Sequence, residues 1–340
     1  MNLTKTLERA PYQVDQETTE KVKTIFHEGT AENTRKAYRK DLKYFFEWAS
    51  LTTEEDTPSL PIDENLIIKF ITDHTTKLTR EVDAKLVELG IKSSLGPHKV
   101  TTISRRISAI SMFHKLQELK PNPCEATRVK ELLSKAKRRA VNHGYKPAKK
   151  SAMTLDKLMM VLDTCGSDLA GLRTRALLLF AFSSGGRRAS EIANAVVENL
   201  TEVKDSYTYL ISKSKTDQEG SGHIVPITGI AASALKTWLE VSSIKEGKLF
   251  RGITKHGKVT SGLTSTSISR IIKRQARLAG LNPAEFSSHS MRSGFISEGG
   301  KQNQNLGDIM ALSGHKTISV AMGYFQAGAV LNNKAANLAG

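Results

Sequence analysis

The sequence predicts a mostly α-helical protein with a small antiparallel β-sheet in its C-terminal domain. Three observations carry this. Apolar residues recur at helical spacing through the first 135 positions, a strongly basic stretch at 135–150 marks a change of composition, and two short β-rich runs lie within 205–228.

Residues 1–20 read as a flexible tail. In "NTRKAYRKDLKYFFEWAS", 33–50, Tyr38, Leu42, Phe45 and Ala49 form a core-facing stripe, and Asn33 or Thr34 can cap the helix. Arg35, Arg39 and Lys43 form a basic row on another face, suited to tracking phosphates. Further helices follow at 63–75 and 79–90. A fourth, "KVTTISRRISAISMFHKLQEL", presents Val100, Ile103, Ile107, Ile110 and Leu116 inward and leaves Arg105, Arg106 and Lys115 outside. "PNP" at 121–123 breaks the chain, and "CEATRVKELLSKAKRRA" resumes as a helix. The stretch "KAKRRAVNHGYKPAKK", 135–150, overlaps its end. With seven Lys or Arg and no acid, plus Gly144 and Pro147, it reads as an extended basic linker. Beyond 151, "TLDKLMMVLDTC" and "DLAGLRTRALLLFAFSS" read as helices, "YTYLI" and "HIVPI" as a hairpin, and helices return from about 230.

The charge points to a polyanionic partner. Fifty Lys and Arg against 34 Asp and Glu give a formal net charge of +16, and neutralising phosphates releases condensed counterions. Charge alone does not separate DNA from RNA or an anionic membrane surface. No apolar run reaches the length of a membrane span, "ALLLFAF" at 176–182 being a buried helix segment instead. The N-terminus lacks the apolar core of a secretory signal, so an intracellular protein is expected. Cys124 and Cys165 stand alone as free thiols, and no His or Cys spacing or carboxylate cluster suits a metal. Neither a metal nor a cofactor is expected.

The chemistry gathers in two segments. In "GGRRASEIANAVVENL", 185–200, the tandem glycine ends a buried helix and Ser190 or a neighbour caps the next. Arg187 and Arg188 then sit at a junction, with Glu191 placed to orient Arg188. In "SSHSMRSGFISEGGKQNQNLGDIMALSGHKTISVAMGYF", 287–325, His289 and Arg292 share a helix face, His315 follows Gly314, and Thr317 caps a helix presenting Tyr324. A tyrosine among cations suggests attack on a phosphodiester. Arginine and histidine donors stabilise the charge that builds on the phosphate, and a cationic neighbourhood favours phenolate. The leaving oxygen needs a proton, and Lys215, in the hairpin loop "SKSKT", is the best donor on offer.

Taken together, Arg…Lys…His-x-x-Arg…His…Tyr behind a basic helical domain resembles the tyrosine recombinase/integrase family, with a Cre-like layout. Arg188, Lys215, His289, Arg292, His315 and Tyr324 match its six active-site positions, and Glu191 its supporting acid. "GGRRASEI" is similar to the arginine box, "HSMRSGF" to the His-x-x-Arg box, "SGHKT…GYF" to the stretch ending at the nucleophile, and "TRKAYRKDLKYFFEW" to the first helix of the core-binding domain. Cre has tryptophan where this chain has His315, so its target cannot be carried over.

The resemblance implies a helical, SAM-like core-binding domain at 21–135, a basic interdomain linker at 136–150 and a catalytic domain at 151–326. The two domains would form a C-shaped clamp on DNA. A C-terminal tail at 327–340 would contact a neighbouring protomer, although packing on its own domain fits the residues as well. The implied function is site-specific recombination through a 3′-phosphotyrosyl intermediate and a Holliday junction. A homotetramer would act on two double-stranded sites with inverted repeats, with no membrane involved, in a bacterial, phage or plasmid setting (cytoplasm or nucleoid). Tyr324 is then the nucleophile and Lys215 the general acid, with Arg188, Arg292, His289 and His315 on the phosphate. Which group takes the tyrosine proton stays open. Arg35, Arg39, Lys43, Arg105, Arg106, Lys137, Arg138 and Arg139 are candidate DNA contacts. Rival readings are a type IB topoisomerase and a non-catalytic DNA-binding protein on the same scaffold.

Overall fold

The computed structural model describes residues 17, 21, 24, 25, 28–53, 58–76, 78–145, 150–212 and 222–330. The chain divides into two compact units, Met1–Pro147 and Ala148–Gly340. Of the sequence-based expectations, Lys215, most of the 1–20 tail and residues 331–340 of the C-terminal tail lie outside the described residues.

The first unit holds α1 (Glu32–Thr52), α2 (Glu64–Thr75), α3 (Arg80–Glu88), α4 (Val100–Leu116) and α5 (Thr127–Asn142). Asp63 caps α2 by accepting from Asn65 N at 2.7 Å, and Thr79 caps α3. The cap of α1 differs from expectation. Ala31 holds the position without a side-chain bond, and Asn33 and Thr34 lie inside the helix. Phe45 and Ala49 are fully buried as predicted, but the stripe also takes in Tyr44 and Trp48. Phe70 meets Trp48 and Phe45 edge-on, at centroid separations of 5.0 and 5.3 Å. On α4, Ile103, Ile107 and Ile110 are buried, whereas Leu116 in the last turn is exposed. Residues 136–142 are helical, so the overlap of the two readings at 136–140 resolves as helix and the linker reading fails as far as 142. The inward stripe Val129, Leu132, Leu133 and Ala136 holds α5 as far as Ala136, and the helix continues to Asn142 without further buried residues.

Arg106 is the main correction in this unit. The sequence places it outside, yet it is buried, with its guanidinium 3.2 Å over the Tyr44 ring and Nε 3.5 Å from Asp41 Oδ1. It falls on the arc of Ile103, Ile107 and Ile110. Its partners are on another helix, where periodicity cannot reveal them. Asp41 is itself buried and also pairs with half-exposed Arg105. Burial pushes the Asp41 carboxyl up, against the pull of both arginines. Tyr44 Oη lies 2.8 Å from His74 Nε2, and His74 Nδ1 lies 2.6 Å from the Phe70 carbonyl. A carbonyl only accepts, so Nδ1 carries the proton and Nε2 accepts from the tyrosine. Arg39, Lys43, Lys137, Arg138 and Arg139 are exposed, and Arg35 is half-buried.

The second unit comprises α6 (Leu155–Asp163), α7 (Leu169–Ser183), α8 (Ala189–Asn194), β1 (Leu200–Val203), β2 (Ser206–Ile211), β3 (His223–Ile227), α9 (Gly229–Ser242), α10 (Ser265–Leu278), α11 (Ser288–Lys301), α12 (Leu306–Ser313) and α13 (Ile318–Ala329). Capped by Asp168, α7 runs through the core, with Ala176–Phe182 all buried. The sheet is antiparallel in the order β1-β2-β3, with Tyr209 opposite Val225 and Tyr207 opposite Ile227 on the buried face. The expected hairpin strands are β2 and β3, and β1 was not foreseen. Pro226 is tolerated because β3 is an edge. α13 continues to Ala329, past the expected domain end at 326. Among the described residues no helix is long and apolar enough to cross a membrane.

Burial holds the His74 pKa down at about 3, against the ordinary 6.5. Between these values the unfolded chain binds a proton that the folded one does not. Stability is therefore full above about pH 6.5 and is lost as pH falls towards about 3. His74 alone should contribute a slope of ~1.4 kcal/mol per pH unit in that window. Denaturant unfolding of the wild type and His74→Gln at stepped pH checks this, and equal slopes would remove His74 from the account.

Candidate active site

The site is built where two distant segments of the second unit press together. After α7 the chain turns through Gly185 (φ 95°) and Gly186 (φ 74°), left-handed conformations that favour glycine. Both amides donate to the Phe182 carbonyl at 3.1 Å. A Cβ on Gly186 would stand 2.3 Å from the Arg292 Cα, and one on Gly185 would stand 2.2 Å from the Leu312 carbonyl oxygen. Only bare backbone fits there, and it brings Arg187 and Arg188 against α11 and the end of α12.

Where Ser190 or a neighbour was expected, Arg188 holds the N-cap position of α8. Glu191 accepts from the Arg188 backbone N–H at 3.2 Å and from its guanidinium at 2.6 Å. The helix start and the orientation of Arg188 are thus fixed by one carboxylate. The Arg188 side chain stays 30% exposed while that of Glu191 is 9% exposed, so the arginine keeps access to a ligand.

Ser287 caps α11. One turn on, Arg292 is 2% exposed, with Nη1 3.5 Å from the Gly186 carbonyl, Nε 3.3 Å from His315 Nε2 and Nη2 3.2 Å from His315 Nδ1. Burial, then Arg188 and Arg187, lower its pKa to about 10. It remains a cation at neutral pH.

His315 follows Gly314, which ends α12 in the left-handed region, and Ser313 Oγ lies 2.8 Å from His315 Nδ1. Burial and the surrounding cations, Arg292 foremost, lower its pKa to about 4. The same causes, burial first, lower that of His289. Both imidazoles are neutral at pH 7.

Tyr324 stands on α13, which lies unusually close to α11. A Cβ on Gly300 would come 2.1 Å from the Phe325 oxygen, and one on Gly328 would come 1.8 Å from the Ser297 oxygen. Ser297 Oγ donates to the Tyr324 carbonyl at 3.1 Å. This contact sets the phenol beside α11, with Tyr324 Oη 3.1 Å from His289 Nε2. Thr317 holds the N-cap position of α13 without the expected side-chain bond.

Arg188, Glu191, His289, Arg292, His315 and Tyr324 therefore lie in the second unit as three contacting pairs, Arg188–Glu191, Arg292–His315 and His289–Tyr324, within electrostatic reach of one another, while the candidate DNA contacts belong to the first. The sequence offered Arg187 only as half of an Arg-Arg pair. It is buried, donates to the Leu312 carbonyl and lies 3.8 Å from Glu191. Ser313 and Ser297 had no signal at all. No group of three or more His, Cys, Asp or Glu suited to a metal occurs among the described residues.

A family model described as the phage integrase family matches residues 151–329. Over 327 residues the chain is 28% identical to an integrase/recombinase xerD homolog of Selenomonas ruminantium, covering 93% of this chain and 88% of that protein. Among solved structures, the Tn1549 transposon integrase bound to transposon right end DNA superposes with a TM-score of 0.59 at 14% identity, covering 94% of this chain and 98% of that one. The XerH site-specific recombinase bound to its difH substrate gives 0.57 at 18% identity, covering 92% and 82%. At these identities the two structures share the fold.

Gly186→Ala should destabilise the second unit by at least about 2 kcal/mol, since it adds a left-handed alanine to a steric overlap. Chemical denaturation measures this. A wild-type midpoint would mean that the junction can yield.

Proposed function

The chain belongs to the phage integrase family, and from that premise we propose that Tyr324 is the nucleophile with which it, a site-specific tyrosine recombinase, breaks and rejoins DNA. The observation that carries the assignment is the 3.1 Å separation of Tyr324 Oη and His289 Nε2, in a site edged by Arg188 and Arg292. In this reading the tyrosine oxygen attacks the scissile phosphorus as the bond to the 5′-oxygen breaks. The product is a 3′-phosphotyrosyl link and a free 5′-hydroxyl.

His289 takes the phenol proton. Its pKa is lowered, so the free base that must accept is the form present at neutral pH. Arg188 and Arg292 hold the nonbridging oxygens, where their charges offset that of the transition state. His315 adds a hydrogen bond. Glu191 keeps Arg188 in its fork geometry. Lys215 protonates the leaving oxygen, a role that rests on the sequence alone. The 5′-hydroxyl of a partner duplex reverses the step, so strands exchange through a Holliday junction with the bond energy kept in the phosphotyrosine.

Four protomers on two duplex sites with inverted repeats complete the proposal, with 21–135 as core-binding domain and 151–326 as catalytic domain. Arg35, Arg39, Lys43, Arg105 and Lys137–Arg139 serve as phosphate contacts. Buried Arg106 leaves that set. Unlike the buried Tyr44–His74 pair, the Tyr324–His289 pair is open to solvent, where a DNA phosphate can reach it.

Covalent capture tests the nucleophile. The protein is incubated with fragmented DNA and a randomised duplex library and denatured with SDS, and the attached DNA is sequenced. The wild type should retain DNA sharing an inverted repeat, and Tyr324→Phe none. If nicked duplexes that lose the leaving strand also stay free while duplex binding is tight, the proposal fails. With a captured site in hand, His289→Ala should slow single-turnover cleavage by roughly 10²–10⁴-fold. Because the base is active when neutral and its pKa is lowered, the wild-type rate should fall to half only below pH 6.5. A half-maximal rate at or above that pH would remove His289 as the base.

A further inference from the structure

Arg187 is the strongest charged feature that this mechanism leaves unused. Its side chain is 4% exposed, and burial lowers its pKa. Burying a guanidinium is costly unless it is well paired, and an apolar residue often serves stability better. The pairing here is partial. Nη2 donates to the Leu312 carbonyl and Nη1 faces Glu191 Oε2 at 3.8 Å, while Nε has no partner among the described residues. Glu191 is already engaged by Arg188 at 2.6 Å. The bonds of Arg187 thus do not explain its burial as a stabilising device.

Its position offers another account. Leu312 stands three residues before His315, across the Ser313-Gly314 turn that aims the imidazole. Glu191 aims Arg188. Resting on the active-site reading above, we infer that Arg187 is a positioning residue for DNA cleavage. Its guanidinium bridges the carboxylate that holds Arg188 to the carbonyl that leads into the His315 turn, and so fixes these two phosphate ligands against each other. The bridge joins segments 125 residues apart. It also places a third arginine behind Arg188 and Arg292, and its charge helps to lower the pKa of both Arg292 and His315. Glu191 faces two guanidinium groups and so cannot cancel the charge that Arg188 presents to the phosphate.

The test is single-turnover cleavage of a nicked duplex carrying the captured inverted repeat, at saturating protein, by the wild type, Arg187→Met and Arg187→Lys. Rate constant and reacting fraction are read separately, with DNA affinity measured alongside. Arg187→Met should lower the rate constant by about tenfold or more, as a misplaced catalytic group does, at unchanged affinity and reacting fraction. Arg187→Lys restores the charge without the fork and should recover part of the rate. A smaller reacting fraction with an unchanged rate constant would overturn the inference, because a merely structural residue removes active molecules without slowing the rest. If Arg187→Met does not fold, Arg187→Lys decides: a wild-type rate constant overturns the inference and a lowered one supports it. A wild type that forms no Tyr324 adduct would overturn the nucleophile assignment, and this inference with it.

Discussion

Everything at the site depends on bare backbone at the Gly185-Gly186 turn. The turn lies so close to Arg292 and Leu312 that no Cβ fits, and this closeness makes one surface out of residues from distant parts of the sequence. Without it Arg188 and Glu191 would form an ordinary short-range ion pair on a helix start, worth little. With it, the pair lies within electrostatic reach of Arg292, which meets the Gly186 carbonyl and the His315 ring. The local chain path also follows, because α8 is only six residues long and is started by the glycine turn and by Glu191.

The electrostatics follow from this crowding. Three arginines share Glu191 as their nearest carboxylate, so the site holds a net positive charge in a partly dehydrated place. Burial first, and then that charge, select the neutral forms of His289 and His315 and leave them able to accept hydrogen bonds. An anion entering such a site meets donors that are already oriented, and little reorganisation is left for the reacting state. The first unit follows a different logic. There Arg106, Asp41, Tyr44 and His74 fill the interior with polar groups whose partners come from separate helices.

Much of this was legible from residue order. The helices of both units and the two main strands could be read from spacing, and the resemblance picked out Arg188, His289, Arg292, His315 and Tyr324, which the fold gathers in the second unit, while Lys215 lies outside the described residues. The misreadings share a cause. Arg106 and Leu116 were assigned by helical period, but a charged residue can turn inward when a distant carboxylate and ring receive it, and an apolar one can be exposed in a last turn. Ala31 displaced Asn33 and Thr34 as a cap because the helix started earlier than its polar signals. Strand β1 is mostly exposed and shows no buried alternation to read. Basic composition left helix and linker readings overlapping at 136–140, since Lys and Arg are good helix formers as well as good linker residues. The importance of Arg187 lies in contacts across 125 residues, which no local pattern records.

The contact between α11 and α13 has a consequence for how such a site can change over time. Gly300 and Gly328 each nest against the opposite helix's carbonyl oxygens, so main chain, and not side-chain packing, sets the separation and rotation of the pair. The tyrosine is therefore keyed like a shaft in a slot. Residues on the outer face, such as exposed Ile318 and Val320, can be exchanged without altering the reach of the phenol. The outer face of the Tyr324 helix is thereby open to acquiring new partners while the phenol stays in register with His289.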